Sequence, residues 1–560
     1  MAAGIESATS RGSFASSRHG LVRASRLAER AMHKSDGHLP LLADSHNRSS
    51  FGAQRRYLSN LAATMSKRSE LDPLLPHNDS SPEISGYGFS NPKSNAQSKY
   101  TSAAPLYDDD EDDTRSIASN TSTKSALSRI IVICSCVILF ALVIAVLSPK
   151  ASPNHDPTSP RPTSEPARTV AERVTKILDE TPLFDGHNDL AIFIRAKYKN
   201  KIHTQEFKDK FENGGMGLHV DLPRLREGRQ GGAFWSAFVG CTEDGGDDFS
   251  DERFATPLAH TLQQIDLLHR LQAQYPDFTP ARTPLPEALS RFHSNRSLIS
   301  PISIEGLHQI PQSAPLSTLR LYHSLGVRAA TLTWNCHNAF ADAAMVLING
   351  TTKPTPYHRG GLTSAGRAVV REMNRLGMLV DLSHTSYWTQ KAVLSNKTSA
   401  APVIYTHSSA FALCNHPRNV HDDMLELVKE TNSLVMINFS PDFISCLPPP
   451  DPLVMPEYYP KNNTLHQIAR HVVYVGEKIG YDHVGFGSDF DGILETPRGM
   501  EGVDKYPDLV AEMLRMGVSD KEAGKVVGGN LLRVWKDAIE VAERMQKDGV
   551  QEGEDEADGW

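Results

Sequence analysis

With 560 residues, 39% of them hydrophobic and 22% charged, the chain has room for one large folded domain and sizeable appendages, although length alone does not fix a domain count. A formal net charge of −8, with no basic stripe interleaved with aromatics, excludes nucleic acid as a partner.

Residues 1–125 are rich in Ser, Arg, Asn and Pro and lack a sustained apolar period. Such a segment buries too little surface to offset its ordering entropy, so it is expected to be a disordered tail. The acidic run 108–113 within it reads as a solvated charge block. Two address-like stretches lie in the same tail. ELDPLL at 70–75 looks like an acidic dileucine sorting signal, and residues 1–64, with nine Lys or Arg, resemble a mitochondrial presequence. Met65 is an alternative translation start.

The run that opens on Ile130 and closes on Leu147 has Ser135 as its one clearly polar residue. Eighteen residues at 1.5 Å each span about 27 Å, close to the hydrocarbon thickness of a bilayer. A transmembrane signal-anchor is therefore expected within 126–149, contacting lipid. Lys124 and Arg129 precede it and favour a cytosolic amino terminus, so the rest of the chain faces the lumen or the outside, as in a type II protein of the endosomal, vacuolar or plasma membrane. A single apolar run excludes a transporter. Asn-x-Ser/Thr triplets at Asn295, Asn349, Asn396 and Asn462 fit glycosylation there. Cys134 and Cys136 lie in the anchor, which leaves Cys241, Cys336, Cys414 and Cys446 on the oxidising side. Four cysteines permit three pairings, and the sequence does not choose among them.

A Pro/Ser/Thr-rich stalk at 150–165 leads into the folded part, expected over 166–548, with an acidic tail at 549–560. Short apolar runs at 182–185, 233–239, 300–304, 329–333, 378–382, 403–405, 434–438 and 484–487 alternate with helical patterns such as 316–325, 364–376 and 465–479. Eight strands alternating with helices predict an α/β fold of the (β/α)8, TIM-barrel type. An open doubly wound sheet is the alternative, but no Gly-rich phosphate loop follows any strand.

Chemistry-bearing residues fall at the carboxyl ends of these strands. His187 and Asp189 follow the first, Glu305 the third, His384 the fifth, His407 the sixth and Asp489 the eighth. Barrel enzymes place their chemistry on that rim. Three imidazoles and two carboxylates suit two zinc ions, since Zn²⁺ takes nitrogen and oxygen donors and one carboxylate can bridge a pair. Mn²⁺ and Co²⁺ suit the same donors.

The segments DGHNDL, GGAFWS, the IEG at 304–306, LVDLSH, APVIYTHSS, PRNV, GFGSDFDG, KYPDL and NLLRV together resemble the membrane (renal-type) dipeptidase family, M19, of the amidohydrolase-like superfamily. The resemblance implies a metallo-dipeptidase in which His187, Asp189 and Glu305 hold one zinc and Glu305 bridges to a second, held by His384 and His407. Hydroxide held between the metals would attack the peptide bond. Asp489 would then be the acid/base group and Arg418 the clamp on the substrate's carboxylate, with disulfides Cys241–Cys336 and Cys414–Cys446. The chain departs from the family's animal members at Trp334, where they carry a substrate-contacting histidine; His337, three residues on, is a candidate substitute. Dipeptides are the expected substrates. Another small amide, such as a β-lactam or an N-acyl amino acid, is the alternative, with a non-catalytic binding protein on the same barrel ranked last. A homodimer is left open as a further partner.

Overall fold

The computed structural model describes residues 168–242, 248–348, 351–355, 360–395, 398–451 and 453–556. The expected tail, anchor and stalk, the two cysteines within the anchor, Asn349 and Asn396 lie outside them. No helix among the described residues is long and apolar enough to cross a membrane.

Eight parallel strands close into a barrel: β1 (Leu183–Asn188), β2 (Gln230–Ser236), β3 (Ile302–Glu305), β4 (Val327–Thr331), β5 (Leu379–Asp381), β6 (Ile404–Tyr405), β7 (Leu434–Ile437) and β8 (Val484–Phe486). Each pairs with its sequence neighbour, and β1 closes on β8 through Asp185 and Phe486. All eight predicted strands are present. They read as continuous apolar runs because a parallel strand flanked by helices is buried on both faces.

Between the strands, helices form where an apolar stripe meets a cap. In Leu465–Ile479 the buried Ile468, Val472, Val475 and Ile479 fall at i, i+4, i+7 and i+11, and the Thr464 hydroxyl accepts the Gln467 N–H. Ser364–Leu376 starts from a Thr363 cap and ends at Gly377, whose φ of 74° is the left-handed turn that glycine tolerates. The predicted 316–325 helix is Pro315–Ser324.

Packing differs at the two ends of the barrel. Near the strand starts, Phe184, Ile404 and Leu434 pack with Leu531, Val534 and Trp535 of helix Asn530–Lys547, sealing that end with apolar side chains. The carboxyl ends carry the polar residues instead. Two disulfides tie loops there: Cys241–Cys336 joins the segments after β2 and β4, and Cys414–Cys446 those after β6 and β7.

The acidic carboxyl-terminal segment is docked as far as the structure describes it. Asp555 accepts the N–H groups of Leu316 and Ser317 at 2.9 and 2.8 Å, capping helix Pro315–Ser324. Gly553 bonds Glu372 through its N–H and Arg320 through its carbonyl. Charge pattern alone suggested a tail, because the acceptors' partners lie far away in sequence.

Candidate metal centre and active site

β1 delivers two of the site residues through an irregularity. Asp185 pairs with Ala233 and Asn188 with Trp235, so one extra residue bulges at Gly186–His187. Gly186 is required there, since an added Cβ would lie 2.4 Å from the Thr406 carbonyl oxygen. Asp189 starts helix Leu190–Tyr198, but its side chain makes no capping bond, and its Oδ1 is buried without a partner. Glu305 ends β3, His384 and His407 follow β5 and β6 by three and two residues, and Asp489 follows β8 by three. His384 and Asp489 hold φ values of 63° and 66°, a conformation that costs non-glycine residues energy and recurs at functional sites.

These side chains converge on Glu305. Its Oε2 lies 3.4 Å from His187 Nε2, which is 3.2 Å from Asp189 Oδ2. Its Oε1 lies 2.9 Å from His384 Nε2 and 3.4 Å from His407 Nε2. The carboxylate thus divides its oxygens between two donor groups. Among the described residues, His187, Glu305 and His407 form one set of close donor atoms and His187, Asp189 and Asp489 another.

The tautomers sharpen the reading. His384 Nδ1 lies 3.0 Å from Asn335 Oδ1, an acceptor, so Nδ1 carries the proton and Nε2 the lone pair. His407 Nδ1 lies 2.8 Å from the Thr406 hydroxyl. The two Nε2 atoms face each other at 3.0 Å, and both lie within 3.4 Å of Glu305 Oε1, close enough for one cation to be shared by all three. The donor set and the unpartnered Asp189 oxygen therefore fit divalent metal. A third set, Cys241, His308 and Cys336, does not, because the sulfurs are joined and His308 Nε2 bonds the Val239 carbonyl at 2.7 Å.

Burial and neighbouring charge set the titrating groups of the site apart from one another. Desolvation pushes Glu305 up to about 8, partly offset by His187. Burial alone would lower His187, yet Glu305 and Asp189 hold it well above its ordinary value. Burial, with Arg418 and His187 adding to it, keeps His384 and His407 well below theirs and hence neutral, the form that ligates metal.

Asp489 accepts from Asn438 Nδ2 at 3.1 Å through Oδ2, and burial raises its pKa. Arg418 is 2% exposed. Its Nη1 and Nη2 donate to Ser408 Oγ and the His407 carbonyl at 3.4 and 3.2 Å, its Nε has no partner, and its guanidinium lies 5.3 Å from the Phe443 ring centre. Burial lowers its pKa to about 10, while Asp489 and Glu305 work in the other direction. Trp334 is partly exposed, its ring 4.9 Å from Phe238 and 6.2 Å from His384. His337 engages its own loop: Nδ1 accepts the Ala343 N–H at 3.1 Å and Nε2 faces the Thr355 hydroxyl at 3.2 Å. Asn335, Asn438 and Thr406, which orient the site, were not singled out by the sequence. Asn335 stands beside Trp334, but its link to His384 crosses 49 positions.

The model of the membrane dipeptidase family (peptidase family M19) matches residues 171–549. "Dipeptidase aclJ" of Aspergillus oryzae is 44% identical over 391 residues, covering 69% of this chain and 86% of that protein. "Dipeptidase verJ" of Clonostachys rogersoniana is 40% identical over 378 residues, covering 67% and 89%. Among solved structures, a Rhodobacter sphaeroides metallopeptidase bound to a phosphinate mimic of L-Ala-D-Ala is 26% identical with a TM-score of 0.52, over 64% of this chain and 99% of that one. The donor cluster, the barrel rim that carries it and these likenesses agree: the chain belongs to the membrane dipeptidase family and is a metallo-dipeptidase.

Proposed function

We propose that the protein binds two zinc ions and hydrolyses dipeptides that carry a free C-terminal carboxylate. The observation that carries this reading is the division of Glu305, with Oε2 towards His187 and Oε1 towards His384 and His407. His187, Asp189 and Glu305 would hold one ion, and Glu305, His384 and His407 the other. Bound there, zinc supplies a water whose pKa falls from 15.7 towards about 7 and an electrophile for the scissile carbonyl.

The remaining work belongs to side chains. Asn438 occupies Oδ2 of Asp489 and leaves Oδ1 to take a proton from the attacking water and return it to the leaving amine. Its raised pKa, caused first by burial, suits a group that must hold the proton between those steps. Arg418 supplies a buried cation with an unused Nε, and a substrate carboxylate offers the matching acceptor pair. A clamp on the terminal carboxylate favours dipeptides over longer chains. Trp334 would form an apolar wall beside His384, where a substrate side chain packs.

The run 130–147 supports a membrane anchor with the barrel on the lumenal or outer side. Both described glycosylation candidates, Asn295 and Asn462, are exposed. Resistance to alkaline extraction, together with protease protection of the barrel in sealed membranes, checks this topology. For the activity, the test compares a dipeptide with its C-terminally amidated form. Cleavage of the first alone is expected, whereas equal cleavage of both would favour a different small amide as substrate.

A further inference from the structure

Asp381 ends β5 and lies fully buried beside the centre, yet it is not one of the proposed ligands. Its Oδ1 accepts the N–H groups of Ser383 and Thr406, each at 2.9 Å. Its Oδ2 accepts the hydroxyl of Thr331 on β4, and that of Thr406 at 2.6 Å. Four donors match the lone-pair sites of one carboxylate, so the group is fully committed to tying β4, β5 and the end of β6 together.

A hydroxyl carries a single proton and a carboxylate only accepts, so the Thr406 proton goes to Asp381. The Thr406 oxygen, 2.8 Å from His407 Nδ1, is left to accept, and Nδ1 must carry the imidazole proton. The lone pair of His407 then stands on Nε2, the atom facing His384 and Glu305. Thr406 has little freedom to move, because its carbonyl oxygen would lie within 2.4 and 1.7 Å of a Cβ added at Gly186 or Gly487. Asp185 makes a similar staple at β1, accepting the His187 and Ser488 N–H groups and the Ser488 hydroxyl. That staple does not reach the imidazole, since His187 Nδ1 has no partner.

We propose that Asp381, acting through Thr406, is a positioning residue that fixes His407 in its metal-binding tautomer. This rests on the metal reading of the centre and adds that one donor group depends on a hydroxyl relay that the other lacks. The test measures Zn²⁺ affinity of the full chain in detergent by chelator competition, together with thermal unfolding of the metal-stripped protein. T406V is expected to lose about 10- to 100-fold in affinity for one of two zinc equivalents, and T406S to restore it. The metal-stripped melting temperatures separate this from a structural role, which would lower stability and leave affinity unchanged. Wild-type affinity in T406V, or a T406S as weak as T406V, overturns the inference. If valine is not tolerated, D381N tests the same link, with loss of affinity expected and unchanged affinity overturning it. A wild-type protein that binds no zinc overturns the metal reading itself, and this inference with it.

Discussion

Replacing Arg418 by methionine removes a guanidinium that is 2% exposed and whose Nε is unpaired. Within the protein little is lost, since two hydrogen bonds of 3.4 and 3.2 Å go, and with them a buried cation whose desolvation Asp489 and Glu305 only partly offset. The methionine also keeps apolar contact near Phe443, so stability should stay close to wild type. Binding of substrate is different. Truncating one partner of a buried, hydrogen-bonded charge pair costs about 2–5 kcal/mol, or roughly 30-fold to several thousand-fold in kcat/KM. The assay is hydrolysis of a free dipeptide and its C-terminal amide by wild type and R418M. Wild type should discriminate by a factor in that range, and R418M should bring the two rates together by losing the free dipeptide. An R418M that still prefers the free carboxylate by the wild-type factor would refute the clamp.

Asp489→Asn removes the proton carrier and keeps the shape, so kcat should fall about 10²- to 10⁴-fold with metal content intact, as read by turnover beside metal analysis. Trp334→Ala should lower kcat/KM for dipeptides with large apolar side chains more than for Gly-Gly; a uniform loss would place the indole outside the substrate pocket. Burial works to raise the Glu372 pKa, but bonds from Arg375, the Gly553 N–H and Arg320 hold it below its ordinary value. A depressed folded pKa contributes stability above the unfolded value of about 4.3 that is lost as pH falls through the folded one. E372Q should therefore cost about 1–3 kcal/mol in urea unfolding at pH 7, and much less at pH 3.

The fold was legible because barrel strands buried on both faces announce themselves as apolar runs. Their edges were less so. β1 was expected to stop at Asp185 and runs to Asn188, since Gly186, His187 and Asn188 carry no strand signal and are buried by the barrel's closure. β2 begins at Gln230, three residues early, where Gly231 lets the chain pass Pro182: an added Cβ would lie 2.5 Å from Pro182 Cβ. The hairpin Met345–Ile348 with Thr351–Pro354 was not anticipated, because its cross-strand pairing is local and only Met345 and Val346 of its strand residues are buried. At the site, His187, Asp189, Glu305, His384 and His407 could be placed because ligand-type residues recurred at strand ends. Asp381 also stands at a strand end, but its role was not legible there. Its partners Thr331 and Thr406 lie 50 and 25 residues away, and only the closed barrel makes them neighbours.

The most direct measurement strips the protein with chelator and titrates zinc back while following both bound metal and dipeptide hydrolysis. Saturation at two zincs per chain, with activity recovering in step, is the predicted result. Activity that survives complete removal of metal, or a protein that binds zinc and cleaves no dipeptide, would contradict the account.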